Sequence, residues 1–363
     1  MVSRKQIHFG IAAVFAAILI SVTSCNKEEE QDYNRDALLT NLVDNLILPH
    51  YDNFYNELSE LEVAVENFNG ASSAANLNTM RTAFLDAYLA FQNIKMYDFG
   101  PASDYAFKSA CNTYPTDTAK INANISSGSY ILGAAENTTA IGFPSLDFLL
   151  YHGSDLDVIN RFTTNDNAAN ARTYILEVTQ KMKTELGAII ATWNSSYRTS
   201  FVAANGADVG SSLSLLYNEW VKDIELLKNA KIGIPAGLFS GGEQFPHYVE
   251  AYYSGHSKLL ALESLNALEQ VFMGNVGEGM DDNMDFEVEN GTATLTAVEV
   301  SDQFGVIRIK IEGLGDPFSA AIPADFSGFN DTFQEIKKLV AYAKTDMPAI
   351  LGVLVTFSDT DGD

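Results

Sequence analysis

Two short spacings in this sequence place side chains where they could do chemistry together. His247 and Glu250 form a His-x-x-Glu pair, and residues three apart share one face of a helix. A neutral imidazole beside a carboxylate is a reasonable donor set for iron or zinc. Two donors leave a metal shell incomplete, and His256, nine positions further on, would point to the opposite side of a helix. His247 also follows Pro246, so a solvent-facing histidine at a helix start competes with the ligand reading. The second spacing is Gly142-x-Pro144-x-x-Asp147. Proline suits the first turn of a helix, where its missing N–H costs nothing, and a carboxylate near that end is favoured by the helix dipole. Asp147 is therefore read as an acid of the cap region or of a cleft wall, with metal ligation as the alternative. Neither His-Glu-x-x-His nor Gly-x-Ser-x-Gly occurs, and beyond the first thirty residues the remaining histidines are His50 and His152. Any hydrolytic centre would have to be assembled from distant segments.

The elements that must position these residues begin after a leader. Arg4 and Lys5 precede an apolar run over 11–20, followed by Ser21-Val22-Thr23-Ser24 and then Cys25. This is the order of a secretory signal. The run is shorter than the roughly 20 residues that span a bilayer, so residues 1–24 read as a lipoprotein signal peptide, with a lipid on Cys25 as the membrane anchor. Residues 25–35 read as an acidic tether, and Lys27-Glu28-Glu29-Glu30 within it resembles the export tag of Bacteroidetes lipoproteins. The expected address is the outer membrane, with cell-surface exposure left open by a second reading of the tether as a simple solvated linker.

The net charge is −25, from 22 Lys and Arg against 47 Asp and Glu, and cleavage before Cys25 would lower it by two more. Such a field repels phosphate backbones, which excludes nucleic acid as a partner. It is compatible with capture of cations, and solubility alone also explains it. If Cys25 carries lipid, Cys111 is left without a partner, and stability must come from buried apolar surface.

From residue 36 the apolar residues recur at helical spacing. Leu38, Leu39, Leu42, Val43, Leu46 and Ile47 mark one stripe, which continues past Pro49 through Phe54, Leu58, Leu61 and Val65. Leu77, Met80, Phe84, Leu85, Tyr88, Phe91 and Ile94 mark a second helix, antiparallel to the first. Similar patterns cover 168–193, 212–229, 246–273 and 331–345. The expected fold class is all-α: an N-terminal bundle over 36–195 and a C-terminal bundle over 210–363, with a cleft between them and a hinge over 194–210. Residues 105–141 read as loops with short helical pieces, a setting in which site residues are often placed. Alternating β-branched residues over 292–300 and 306–312 predict one small β-hairpin. The acidic tail Asp359-Thr360-Asp361-Gly362-Asp363 lacks the later bidentate acid that a calcium loop requires.

Several of these stretches together resemble the imelysin family, also filed as the M75 peptidases. They are Asn45-Leu46-Ile47-Leu48-Pro49, Tyr97-Asp98-Phe99-Gly100-Pro101, the run from Gly142 to Leu150, and Val249-Glu250-Ala251-Tyr252-Tyr253-Ser254. The resemblance spans nearly the whole chain after the leader. It implies two helical bundles with a cleft, a role in acquiring iron or haem, and iron or another divalent cation as cofactor. The family's Gly-x-His-x-x-Glu motif falls on Gly142, Pro144 and Asp147, so proline stands where relatives carry histidine. Proline cannot ligate a metal. The expectation is accordingly a binding protein, with Asp147, Glu250 and His247 as ligand or metal candidates. A metallopeptidase of the M75 type and a surface scaffold with a degenerate cleft are the alternatives.

Overall fold

The computed structural model describes residues 33–356. The leader, the greater part of the tether, Cys25 and the acidic tail therefore lie outside the described residues. The chain divides into Met1–Tyr33 and Asn34–Asp363, and every element below belongs to the second unit. Every regular element among the described residues is a helix, with no strand.

Helix α1 runs over 35–70 as Arg35–Asn41, a π-helical turn Leu42–Ile47, and Leu48–Gly70. Asn34 caps it by accepting from the Ala37 amide. The widened turn explains how the helix passes Pro49. Proline interrupts the regular ladder of hydrogen bonds, and Leu48 donates five residues back, to Val43, as the ladder shifts register there. Every member of the predicted stripe on α1 is buried. Helix α2, Ala74–Gln92, starts where the Ser73 hydroxyl accepts from the Asn76 amide, and it packs along α1 as expected for consecutive antiparallel helices.

After the short helical pieces Phe107–Cys111 and Thr118–Ser127 come α3, Gly142–Tyr151, and α4, which begins at Ala168–Thr192. The segment read as a polar break and hinge, 194–210, is helical over 194–203. A π-helical segment Trp193–Tyr197 carries α4 into Arg198–Ala203, leaving only 204–211 outside helix. The cause is an aromatic cluster: buried Trp193 meets Tyr51, Phe99, Tyr197 and Phe201, and these rings hold the segment in helical register.

Helix α5 comprises Ser212–Leu226 and a π-helical end, Leu227–Gly233. It is followed by α6, Ser257–Met273, α7, Ala297–Gly313, and α8, Phe326–Lys344. Helices α1, α2 and α4 pack together, as do α5 to α8, and α2 also packs on α6.

The predicted hairpin over 292–312 is wrong, because α7 occupies it. Thr296 and Glu299 form a capping box at its start, and Val300, Phe304, Ile307 and Ile311 are buried at helical spacing. The alternation that imitates a strand comes from β-branched residues on the outer face, with Val298 64% and Ile309 69% exposed. The helix expected from 246 likewise starts only at Ser257, because Ala251 adopts a left-handed backbone at φ 53°.

Candidate functional site

Helix α3 is buried along Gly142–Leu150. Gly142 has φ +71°, and a Cβ there would meet the Cys111 and Ala110 carbonyls, so only glycine fits. Pro144 occupies the first turn, as the sequence implies. Phe143 stacks on Tyr88 of α2 with ring centroids 4.3 Å apart, which fixes how α3 faces that helix.

Asp147 is buried and reaches across to the loop that precedes α6. Its Oδ2 accepts from the Tyr253 amide at 2.8 Å and its Oδ1 from the Ser254 amide at 3.0 Å. Burial raises its pKa from 3.8 to about 6; the hydrogen bonds from Ser254 and Tyr253 act in the opposite direction, and the nearby charge of Glu250 adds to the rise.

Glu250 is also buried. Its Oε1 accepts from Asn112 at 2.7 Å and from Gln92 at 3.2 Å, while Oε2 pairs with Lys231 on the π-helical end of α5. The shell is closed around these partners. Gln92 Oε1 accepts from Lys231 at 3.0 Å, and Asn112 Oδ1 accepts from the Tyr88 hydroxyl at 2.6 Å. One helical turn away, Lys95 pairs with Asp223 of α5. Burial alone would raise the Asp223 carboxyl, but Lys95 and Lys108 outweigh it and its pKa falls. Burial lowers the Lys95 ammonium to about 8 despite Asp223, and the like charges of Lys231 and Lys108 contribute.

His247 lies exposed on a short 3-10 turn, Pro246–Tyr248. The structure brings it to the same small cavity as Pro144, Asp147, Tyr252 and Tyr253, of about 130 Å³. The His-x-x-Glu pair does not share a helix face, because residues 249–256 are turns. His247 points to the cavity and solvent while Glu250 turns inward to Lys231.

A resident iron or zinc does not fit these positions. Both Asp147 oxygens are taken by backbone amides, Glu250 is held by three side chains, and among the described residues no three His, Cys, Asp or Glu side chains gather as a metal shell. Cys111 is buried, which pushes its thiol pKa up and makes it a poor ligand or nucleophile. Gln92, Lys95, Asn112, Asp223 and Lys231 were not picked out by spacing. Asp223 did leave a signal: it interrupts the apolar stripe of Tyr217, Trp220, Ile224 and Leu227, and a charge on a core face needs a buried partner.

Fold and site together define an all-helical protein in which a motif helix and a loop are joined over a buried network of carboxylates and lysines. The chain belongs to the imelysin family: the Peptidase M75 (Imelysin) family model matches residues 47–344. Iron-regulated protein A of Synechococcus elongatus is 33% identical over 86 residues, 22% of this chain, and the match spans only 24% of that relative's length. Two crystal structures share the fold. One, described as an iron-regulated protein A precursor from Parabacteroides distasonis, superposes with TM-score 0.72 at 16% identity, covering 88% of this chain and 96% of that one. The other, an imelysin-like protein from Psychrobacter arcticum, gives 0.69 at 17% identity over 90% and 99%.

Proposed function

We propose that this chain is a lipoprotein held at the outer membrane through Cys25, and that it binds an iron or haem ligand in iron acquisition without cleaving peptides. The iron part of this reading is supported by the family and by relatives named as iron-regulated proteins. The lipid anchor is supported by the order of the leader, Cys25 and the acidic tether in the sequence. Among the described residues, no helix is long and apolar enough to cross a membrane.

The observation that carries the choice of binding over hydrolysis is the commitment of both motif-stretch carboxylates to protein donors. A metallopeptidase needs an open metal position and a base free to activate water. Asp147 instead holds two amides and Glu250 is closed in by Lys231, Gln92 and Asn112. Pro144 adds no donor.

The test is a titration of the purified chain with ferric citrate and with haemin, run beside cleavage of unfolded casein with and without a chelator. Saturable binding without cleavage is the expected result. Chelator-sensitive cleavage would replace this reading with the metallopeptidase, and neither binding nor cleavage would replace it with the scaffold. For the anchor, palmitate labelling in the native host is expected to disappear in Cys25→Ser; label retained in that variant would sink it.

A further inference from the structure

A second and larger cavity, of about 340 Å³, lies beside the buried network. Its wall runs against the character of the chain. Acids outnumber bases 47 to 22 over the sequence, yet four lysines line this cavity, Lys95, Lys108, Lys222 and Lys231, against the single carboxylate of Asp98. The carboxylates that balance them, Asp223, Glu219 and Glu250, are not on the wall. They pair with Lys95, Lys222 and Lys231, respectively, without lining the cavity themselves. Cationic residues therefore outnumber anionic ones four to one on the wall, and charge of one sign in a partly enclosed, low-dielectric setting favours a ligand of the other.

Lys108 is a second and independent observation. Its Nζ is buried and makes no hydrogen bond; Glu219 Oε2 and Asp223 Oδ1, which also lack hydrogen bonds, stand at ion-pair distance, 3.6 Å. An ammonium group has three donors, and buried donors ordinarily have partners. Lys108 and Lys231 also lie close enough to Lys95 to repel it. A negative charge in the cavity would offset that repulsion.

The remaining wall sets the rest of the ligand. Phe91, Leu226 and Ala230 are apolar, and Asn112, Thr113 and Tyr114 also line it. A volume of this size, mostly apolar with a few charged groups, is that of a small-molecule site, which spans about 300 to 1,000 Å³. We propose that this cavity binds a small organic carboxylate, with the carboxylate among the four lysines and the apolar body against Phe91 and Leu226. The inference is independent of the iron reading, since it concerns the anionic group and its apolar body whether or not the ligand carries a metal.

Isothermal titration of the purified chain with 2-naphthoate tests it, beside the neutral 2-naphthylmethanol and inorganic phosphate. Saturable binding of naphthoate with Kd below about 1 mM is expected, with the alcohol and phosphate each weaker by about tenfold or more. Lys222→Glu and Ala230→Phe, at partly exposed wall positions, are expected to weaken naphthoate about tenfold or more without altering the helical circular dichroism. Lys338→Glu, on an exposed lysine of α8, should leave it unchanged. Equal binding of the alcohol would overturn the role of the lysines. Naphthoate affinity unchanged in both wall variants would overturn the location, and no binding of naphthoate would overturn the site.

Discussion

Replacing Asp147 by asparagine isolates the cost of burying its charge. The carboxyl rises from 3.8 to about 6, with burial as the leading cause. A group whose folded pKa lies above its unfolded one stabilises the fold fully below the unfolded value and loses that contribution as pH rises through the folded value. Asp147 therefore favours the fold in acid and costs it at neutral pH. With these two values the whole loss is about 3 kcal/mol, of which about 1.5 kcal/mol falls between about pH 5 and about pH 7.5. Asp147→Asn removes this titration. It also leaves one of the two amides, Tyr253 or Ser254, facing an NH2 group in place of an acceptor, a penalty of about 1 to 3 kcal/mol that does not vary with pH. The variant should be less stable than the wild type at pH 5, and the gap should narrow by about 1.5 kcal/mol by pH 7.5. Urea unfolding of both proteins at several pH values reads this difference, and the other titrating carboxyls cancel in it. A gap constant across that range, or one widening with pH, would refute the account of Asp147 as a carboxyl raised by burial.

Asp223→Asn should leave Lys95 buried without its counter-charge and cost about 3 to 5 kcal/mol in urea unfolding, while the Lys95→Met, Asp223→Leu double variant should recover most of that loss; equal losses in the single and double variants would contradict the pairing. Gly142→Ala, at φ +71° and against the Cys111 carbonyl, should destabilise by about 3 kcal/mol or more, and a wild-type melting temperature would show that the close approach is absent. Thr296→Ala removes the cap of α7 and should cost about 1 kcal/mol by denaturant unfolding; a loss near zero would mean that burial of Val300, Phe304 and Ile307 alone sets that helix start.

The sequence is legible where one period dominates. The stripes of α1 and α2 fall at a spacing of three and four, and their inward faces are buried as read except for half-buried Leu85. Pro49 and Pro144 behave as proline must, one beside a widened turn and the other in a first turn. Legibility fails where apolar residues occupy both faces, as with Val298 and Ile309 of α7, or where distant partners decide. Residues 194–203 are polar enough to suggest a hinge, but rings from Tyr51 and Phe99 keep them helical. Of the candidate site, Asp147 and His247 meet at one cavity and Glu250 does not join them. Its partners Gln92, Asn112 and Lys231 come from three separate segments, all distant from Glu250 or outside its own turn, and no local spacing encodes such a meeting.

The loop between the 3-10 turn and α6 takes its shape from both carboxylates. Ala251 sits in the left-handed region, which costs a residue with a Cβ about 1 to 2 kcal/mol and persists only when its surroundings over-determine it. Those surroundings act on both sides of it. On one side Glu250 is fixed through its side chain by Lys231, Gln92 and Asn112, and through its carbonyl by the Ser257 hydroxyl. On the other, the amides of Tyr253 and Ser254 are fixed by Asp147. A metal drawing Asp147 away would release the second hold and leave two amides unsatisfied, so the same interactions that shape the loop oppose metal ligation at this position. Pro144 is consistent with that arrangement: it fits the helix start from which Asp147 reaches the loop, and it contributes no donor that would compete for the carboxylate.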